Sequence, residues 1–431
     1  MYQLKMDQTT SRYIDDTECV ELSLPTRQCL GMVTLPVHSV AEVESDILYQ
    51  INHPIAAPSL PELVRKTGAS SACILISDAT RNVPTAQIAP ILVDQLISAG
   101  MALENILFIV AIGVHRPATD TEMRSMVGPS LWGKVMVENH TPFDPDNLIH
   151  LGTTSRGTPV SVNKRAYECD LHISIGKVEP HEFAGFSGGR KSVLPGVASA
   201  ETIIANHSPA MLASPYAVPG KLEGNPVHED MLETAKRFGI DFCVCTVLNG
   251  ENHLAGVFAG ELESAHEAAV SYLQKVCRVM LQKPDIVVTT PGVPLNIDFY
   301  QSLKPLIALT ELLDDHTVVA LYCACPEGVN STDLLRPFLA TKSLDDVLAY
   351  VNENYEIQMD HALLLTKILK KNVKIVVYSP NLESDILKSM HLIPAENYQD
   401  MLDKACALTG KSDPSVLFYP EAQRTLPYTS P

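Results

Sequence analysis

The sequence predicts a mixed α/β protein with two domains, each built on a mainly parallel sheet covered by helices. The chain has 431 residues, which is more than a single ordinary domain contains. Short runs rich in aliphatic and β-branched residues alternate with longer segments of helical periodicity, the pattern of parallel sheets joined by helices. A helical segment ends near residue 277, and Pro284 then opens a new strand–turn–helix unit.

The predicted elements follow in chain order. Strands are predicted at residues 73–77, 106–112, 134–138, 171–175, 242–248, 285–290, 317–322 and 373–379. Helices are predicted at residues 85–99, 228–238, 261–276, 302–313, 344–352 and 360–370.

These elements predict two domains. We expect an α/β domain at residues 1–280 and a Rossmann-like α/β domain at residues 284–412, with residues 413–431 packing back on the first domain.

Composition narrows the classes of function. The formal charge is −18, from 50 acidic and 32 basic residues, which argues against a general binder of nucleic acid or anionic membranes. The N-terminus has no signal-peptide pattern, and no apolar run approaches the ~20 residues that cross a bilayer, so we expect a cytoplasmic protein. Ten dispersed cysteines fit a reducing compartment. The Cys-x-Cys pairs at 243/245 and 323/325 fit core packing better than a soft-metal site.

A first group of candidate residues follows two predicted strands. Asp78, Thr80 and Arg81 come after one strand, and His115 follows Gly113 after the next. Ligands bind at the carboxyl ends of strands in open α/β sheets, so these side chains are candidates for holding a phosphate or carboxylate. The competing interpretation is an ordinary helix cap with a structural histidine.

A second group lies in a glycine-rich segment at residues 176–196. Gly188 and Gly189 free the backbone to wrap a ligand, and Lys191 and the later His207 add a cation and an imidazole. The spacing approaches a P-loop, but Arg190 occupies a required glycine position and argues against one. His207 also fits a simple helix-end histidine.

A third group opens the second predicted domain. Asp298 is a predicted helix cap, and Tyr300, Gln301 and Lys304 fall in the first turns of the helix that follows. Together they are able to hold a carboxylate. A solvated helix start is the alternative.

Together these segments resemble the lactate racemase family. The resemblance rests on residues 78–81, 113–117, 179–196, 206–207 and 300–304, in this order along the chain. It implies a racemase or epimerase of 2-hydroxy acids that uses a nickel-pincer nucleotide, of the nickel pyridinium-3,5-bisthiocarboxylic acid mononucleotide type. It also implies two α/β domains with the site between them.

The resemblance implies a role for each candidate. The catalytic acid–base pair is His115 and His181. The nickel ligand is His207, and the cofactor is covalently attached to Lys191 through a thioamide. The polar and glycine positions that contact the cofactor are Asp78, Thr80, Arg81, Gly188 and Gly189. The residues that contact the substrate are Arg81, Tyr300, Gln301 and Lys304.

This chemistry explains the residue types. The C2 hydrogen of a 2-hydroxy acid is too weakly acidic for an imidazole to remove as a proton. Departure of that hydrogen as a hydride, with loss of the hydroxyl proton, gives a 2-keto acid by a milder route. One imidazole near the hydroxyl serves each enantiomer, because imidazole titrates near neutrality.

Two other classes of function stay open. A non-catalytic binding or carrier protein for a phosphorylated pyridinium nucleotide would use the same loop without needing both histidines. A nicotinamide dehydrogenase is disfavoured because no G-x-G-x-x-G opens a strand–helix unit. The implied partners are a small 2-hydroxy acid and the enzymes that make the nickel nucleotide. Lactate, a dicarboxylate, an aryl acid or a sugar acid all fit. Members of the family often carry a tryptophan that lines the pocket in the second domain. The only tryptophan in this sequence is Trp132, and Tyr355 is the candidate for that place in the pocket wall.

Overall fold

The computed structural model describes residues 11–14, 19–22, 29–33, 39 and 42–429. They form two compact units. The first unit contains the described residues between 37 and 179, together with residues 183–276. The second contains the described residues before 37, residues 180–182 and the chain from residue 277 onward.

The first unit is built on a six-stranded sheet that is parallel except for one edge strand. Its strands, in spatial order, are Leu254–Gly260 (antiparallel), Phe242–Leu248, Leu171–Lys177, Ala72–Ser77, Ile106–Ala111 and Met136–Asn139. The four central strands are almost wholly buried, as expected when both faces of a parallel sheet are covered by helices.

Helices and short elements complete the first unit. Its helices are Val43–Asn52, Leu60–Thr67, Thr85–Ser98, Asp120–Val127, Lys164–Tyr167, Ala200–Asn206, Pro209–Leu212, Pro226–Phe238 and Leu262–Cys277. Leu148–Thr153 and Pro159–Asn163 form an antiparallel hairpin, and Gly185–Phe186 is a short strand. Single 3-10 turns lie at Ala79–Arg81, Leu103–Asn105, Pro145–Asn147 and Gly189–Ser192.

The second unit contains a six-stranded sheet whose described strands are all parallel. Their spatial order is Ile393–Ala395, Lys374–Tyr378, Val318–Tyr322, Ile286–Thr289, Val416–Phe418 and Cys29–Met32. The remaining strands are Arg278–Leu281, which pairs with Leu426–Thr429, the hairpin of Ser11–Ile14 with Cys19–Leu22, and Pro180–His181. The helices are Phe299–Ser302, Lys304–Ala308, Thr332–Ala340, Leu344–Glu353, Met359–Lys370, Ser384–Ser389 and Tyr398–Thr409, with 3-10 turns at Leu295–Ile297 and Ala422–Arg424.

The predicted fold class is confirmed, because both large sheets are mainly parallel and alternate with helices. The chain ends differ from the predicted division. Cys29–Met32 and Val416–Phe418 pair with each other in the second sheet, although residues 1–280 and 413–431 were predicted to belong together in the first domain. The sequence of neither segment indicates which sheet it joins, because strand pairing depends on tertiary contacts.

The predicted helix at residues 302–313 is wrong. The structure has Phe299–Ser302 followed by Lys304–Ala308, with Pro305 in the first turn of the second helix. Proline has no N–H to continue a helical ladder, so the earlier helix must end before it. The predicted cap is present, because Asp298 Oδ1 accepts a hydrogen bond from the Gln301 N–H at 2.7 Å.

Within residues 42–429 and the shorter described segments, no helix is both long and apolar enough to span a bilayer.

Candidate functional site

Asp78 and His115 lie together at one edge of the first sheet. Each follows the carboxyl end of a strand, and these two strands, Ala72–Ser77 and Ile106–Ala111, are neighbours. His115 Nδ1 lies 2.8 Å from Asp78 Oδ2, which is hydrogen-bond distance. The side chain of Asp78 is 8% exposed and that of His115 is 21% exposed, so the aspartate is buried behind the imidazole.

The carboxylate of Asp78 is ionised in this setting. Burial alone would raise its pKa, but His115, Arg81 and Thr80 together hold the pKa well below that of an ordinary aspartate. The second oxygen, Oδ1, accepts hydrogen bonds from the Thr80 N–H at 2.8 Å and from the Thr80 hydroxyl at 2.6 Å. Thr80 therefore supports Asp78 directly.

This pairing fixes the proton on the imidazole of His115. An ionised carboxylate only accepts hydrogen bonds, so Nδ1 must carry a hydrogen and donate it to Asp78. In the neutral ring, Nε2 is then the basic nitrogen. The contact with Asp78 thereby fixes the tautomer and orientation of the His115 ring and leaves Nε2 able to accept a proton.

The glycine-rich segment begins at the same sheet edge, after Leu171–Lys177. Gly188 has φ +77°, a conformation that side-chain-bearing residues rarely adopt. A Cβ atom there would lie 2.7 Å from Val178 Cγ2. Gly189, at φ +54°, has His266 about as close, at 3.0 Å from an added Cβ. Both glycines are therefore required for the tight path of the loop.

Arg190 holds this loop from inside. Its side chain is 1% exposed, and Nη2 donates to the carbonyls of Ala184 and Phe186, both at 2.8 Å. Nη1 lies 3.2 Å from the Gly188 carbonyl and 2.9 Å from His266 Nε2. Burial lowers the pKa of Arg190 to about 9, which leaves it charged at neutral pH. The guanidinium thus braces the loop that presents Lys191.

Lys191 and His207 both contact the aromatic ring of Phe183. Lys191 Nζ lies 5.9 Å from the ring centroid. The ring of His207 meets that of Phe183 edge-on, with centroids 4.9 Å apart. His207 is the C-terminal cap of the helix Ala200–Asn206. It is therefore a helix-end histidine and also contacts the glycine-rich segment through Phe183. The amine and the imidazole therefore flank a single side chain.

His181 belongs to a separate buried cluster in the second unit. Its Nδ1 lies 3.2 Å from Glu182 Oε2. The other oxygen, Oε1, lies 3.7 Å from Lys304 Nζ and 3.6 Å from His361 Nε2. Both His181 and Glu182 have side chains only 8% exposed.

The charge on Glu182 is maintained by its neighbours. Burial would raise the pKa of this carboxyl, but His181, Lys304 and His361 hold it well below the value of an ordinary glutamate. Because the carboxylate is an acceptor, Nδ1 of His181 carries the hydrogen, and Nε2 becomes the basic nitrogen. His181 therefore faces a buried carboxylate through Nδ1, as His115 does.

Tyr300 joins this cluster through a second buried acid. Its hydroxyl lies 3.3 Å from Asp360 Oδ1, and its ring centroid is 4.0 Å from that of His361. His361 Nδ1 lies 3.1 Å from the same Asp360 oxygen. Burial first, then the charges of Asp360 and Glu182, raise the pKa of Tyr300 well above that of an ordinary tyrosine. Tyr300 therefore stays protonated and able to donate a hydrogen bond.

Sequence reasoning missed five of these participants: Phe183, Glu182, His266, Asp360 and His361. The role of Glu182 could have been predicted, because it is the next residue after His181 and a carboxylate there is able to pair with the imidazole. Asp360 and His361 stand at a predicted helix start, where an acid is usually a cap. Phe183 lies within the glycine-rich segment, but an aromatic residue there carries no specific signal, and His266 reaches the loop only through the tertiary fold.

Both cysteine pairs are buried. Cys243 and Cys245 lie on Phe242–Leu248 with their sulfurs 3.5 Å apart, both buried. Cys323 and Cys325 follow the strand Val318–Tyr322 and are both buried. In the part of the chain that the structure describes, no group of three or more His, Cys, Asp or Glu side chains is arranged to hold a metal ion.

Two family models cover most of the chain. The lactate racemase N-terminal domain matches residues 16–220, and the lactate racemase C-terminal domain matches residues 279–423. The lactate racemase of Thermoanaerobacterium thermosaccharolyticum is 32% identical over 366 residues, which are 83% of this chain and 85% of that protein. The lactate racemase of Lactiplantibacillus plantarum is 30% identical over 385 residues, 87% and 89% of the two chains.

Solved structures agree with these matches. The lactate racemase apoprotein of Thermoanaerobacterium thermosaccharolyticum has a TM-score of 0.88 and 29% identity, and the match covers 97% of this chain and 100% of that one. A Thermotoga maritima protein has a TM-score of 0.70 with 18% identity, covering 90% and 98% of the two chains. The second likeness concerns the fold alone.

Proposed function

The chain belongs to the lactate racemase family and is a racemase, and from this premise we propose its reaction. It inverts C2 of a 2-hydroxy acid through a 2-keto acid, using a nickel-pincer nucleotide attached to Lys191. The proposal includes a cytoplasmic location and a supply of the nucleotide by dedicated biosynthetic enzymes.

The observation that carries the proposal is the matched state of two histidines. His115 Nδ1 faces Asp78 at 2.8 Å, and His181 Nδ1 faces Glu182 at 3.2 Å. Each carboxylate is buried and ionised, so each histidine has Nε2 as its basic atom. A racemase needs one base for each enantiomer, because the hydroxyl groups of mirror-image substrates point in different directions. Two equally prepared imidazoles meet this need.

The histidines act on the substrate hydroxyl in this proposal. Nε2 of one histidine accepts the hydroxyl proton as C2 loses its hydrogen, and the carboxylate at Nδ1 stabilises the resulting imidazolium. Nε2 of the other histidine returns a proton to the oxygen when the hydrogen comes back on the opposite face. The pathway runs equally in reverse, since each imidazole is an acid after it has been a base.

The residues around the glycine-rich loop fit the proposed cofactor. Lys191 supplies an amine for the covalent link, and His207 supplies one imidazole as a metal ligand beside it, both against Phe183. When bound, the nickel nucleotide would supply an electrophilic centre able to accept a hydride reversibly. Gly188 and Gly189 let the loop approach the nucleotide closely.

Cationic and polar side chains hold the substrate and cofactor. Arg81 and Lys304 are proposed to orient the carboxylate of the substrate, assisted by Tyr300 and Gln301. Arg190 takes no part in this binding, because its guanidinium is occupied by loop carbonyls and His266.

Isotope retention tests the reaction type. Holoenzyme made together with the cofactor-building enzymes is given one enantiomer of lactate carrying deuterium at C2, in ordinary water. Because the hydrogen on C2 is held and returned, we expect the opposite enantiomer to keep most of its deuterium. Complete exchange with solvent hydrogen would contradict the proposal and favour proton removal at C2.

Separate variants test the two histidines. His115→Ala and His181→Ala should each abolish racemisation in both directions while Lys191 keeps its attached nucleotide, as measured by mass spectrometry. The exposed His150→Ala serves as the matched control. Full racemase activity in either variant would favour a carrier function that needs no acid–base pair.

A further inference from the structure

Asp230 is a buried acid that holds three segments of the first unit together. It lies on the helix Pro226–Phe238 and is 1% exposed. Its Oδ1 accepts a hydrogen bond from the Thr154 hydroxyl at 2.5 Å, and its Oδ2 accepts one from the Thr158 hydroxyl at 2.8 Å. Oδ2 also accepts a hydrogen bond from the side-chain amide of Asn206 at 2.9 Å. One carboxylate therefore joins its own helix to the turn of a hairpin and to the end of another helix.

Neutral donors alone bind the side chain of Asp230 within the described part of the chain. They are the hydroxyls of Thr154 and Thr158 and the amide of Asn206. The Thr154 hydroxyl accepts a hydrogen bond from the Thr158 N–H at 3.1 Å, so its own hydrogen is available to Asp230, as an ionised carboxylate requires. Buried carboxylates are usually paired with a cation. The cluster of these four residues therefore carries a negative charge.

Asn206 is oriented by this cluster. Its side-chain nitrogen donates to Asp230 Oδ2 and to the Val227 carbonyl at 3.2 Å, so both amide hydrogens are used. The reversed amide would place its oxygen against two acceptors, which fixes the orientation. Asn206 is 0% exposed, and its Oδ1 has no hydrogen-bond partner among the described residues. Because an unpaired buried acceptor lowers stability, stability alone does not explain an asparagine at this position.

Asn206 is the last residue of its helix, and His207 follows it as the C-terminal cap. The His207 N–H donates to the Ile203 carbonyl at 2.9 Å, so the backbone at His207 continues the last helical turn. The side chain of Asn206 anchors this turn to Asp230 on the neighbouring helix. The helix end that presents the His207 imidazole is therefore held in place by Asp230.

We propose that Asp230 is a positioning residue for the metal ligand, acting on His207 through Asn206. The inference rests on the proposed function, in which His207 binds nickel. Anchoring the helix end limits the orientations of the imidazole, so less freedom is lost when a metal binds. A buried negative charge in surroundings that screen charge poorly also favours a divalent cation nearby. Residues behind a metal ligand change metal affinity by about 10–100-fold.

Release of nickel tests this inference on holoenzyme made together with the cofactor-building enzymes. Asp230→Asn removes the charge, and Asn206→Leu removes the link to His207. We expect each variant to lose nickel to an excess of chelator faster than wild type by about tenfold or more. The fraction of Lys191 that carries the nucleotide, measured by intact mass, should stay at the wild-type level. A wild-type rate of nickel release in either variant would overturn the inference.

Thr158→Val is the matched control. It removes a hydrogen bond to the same carboxylate oxygen but keeps the charge of Asp230 and its bond to Asn206. It should lower the free energy of unfolding in denaturant and leave nickel release unchanged. Release as fast as in Asn206→Leu would overturn the inference, because the effect would then follow stability. Asn206→Leu leaves both threonine donors on Asp230, so it provides the test even where Asp230→Asn fails to fold.

His207→Ala separates this inference from the proposed function. Wild-type retention of nickel in His207→Ala would overturn the proposed role of His207 as the metal ligand. Rapid nickel loss in His207→Ala, with wild-type retention in Asp230→Asn and Asn206→Leu, would overturn the role of Asp230 alone. Rapid loss in all three variants would support both.

Discussion

Asp78 holds His115 through a 2.8 Å contact between Oδ2 and Nδ1, and Thr80 occupies the other oxygen of the same carboxylate. Both carboxylate oxygens of Asp78 have hydrogen-bond partners, so the carboxylate favours one orientation and one tautomer of the imidazole. This relationship makes Asp78 a positioning residue with a testable electronic role.

The first prediction concerns Asp78→Asn. The amide keeps the shape but can donate to Nδ1, which would move the hydrogen to Nε2 and remove the base. We expect kcat to fall by about 10²–10⁴-fold, in line with similar changes in other carboxylate–histidine pairs. Racemisation of each enantiomer by nucleotide-loaded enzyme measures the effect. Exposed Asp94→Asn is the control, and a kcat within threefold of wild type for Asp78→Asn would contradict this role.

The second prediction concerns Glu182 and pH. Its pKa in the folded state is lower than in the unfolded state, so the unfolded chain binds more protons in acid. The stabilisation is therefore fully present above the ordinary glutamate pKa of 4.5 and is lost as pH falls toward the folded pKa. Glu182→Gln should be less stable than wild type at neutral pH, by about 1–3 kcal/mol.

Denaturant unfolding at several pH values checks this expectation. The difference between wild type and Glu182→Gln should shrink as the pH falls below about 4.5. A difference that grows in acid would show that Glu182 is protonated in the folded protein. The same variant should also lose racemase activity, because His181 then lacks an ionised partner.

The third prediction concerns the brace of the glycine-rich loop. Arg190→Met retains the long stem but removes the guanidinium that binds Ala184, Phe186 and Gly188. We expect unfolding free energy to fall by about 2–5 kcal/mol, because several buried carbonyls lose their donors. Mass spectrometry should also find a smaller fraction of Lys191 carrying the nucleotide. Arg336→Met, at a position 47% exposed, should change neither quantity.

The fourth prediction separates attachment of the nucleotide from binding of nickel. In His207→Ala, Lys191 should still become modified, because the covalent link does not use the imidazole. Nickel per protein chain should fall several-fold, since the metal loses its protein ligand. Elemental analysis and intact mass measure the two quantities on one sample. Wild-type nickel content in the variant would assign the ligand role to another residue.

The central strands were predictable from the sequence, because strands buried on both faces are continuous runs of apolar residues. Phe242–Leu248 was predicted at its observed bounds, and Thr85–Ser98 was predicted within one residue. The edge strand Leu254–Gly260 was missed, since its glycines and alanines weaken the strand pattern. Cys29–Met32 was missed because four residues are too short for a periodicity to emerge.

The part of the candidate site that follows strand ends was predictable from the sequence. Asp78 and His115 follow two strand ends, and their contact follows from the parallel pairing of those strands. The surroundings of His181 were not predictable in this way. Glu182 meets Lys304 and His361 across more than a hundred residues of chain, and no spacing rule connects them.

The placement of Glu182 limits how the protein can be divided. Residues 180–182 group with the second unit, whereas the residues on either side of them group with the first. A fragment cut after residue 276 would retain His181 and Glu182 but lose Lys304, His361 and Asp360. The truncated piece would expose a carboxylate whose compensating charges are gone, a costly state for a formerly buried acid. Recombinant halves are therefore poor substitutes for the intact polypeptide, and gene fusions or domain exchanges should keep both parts on one chain.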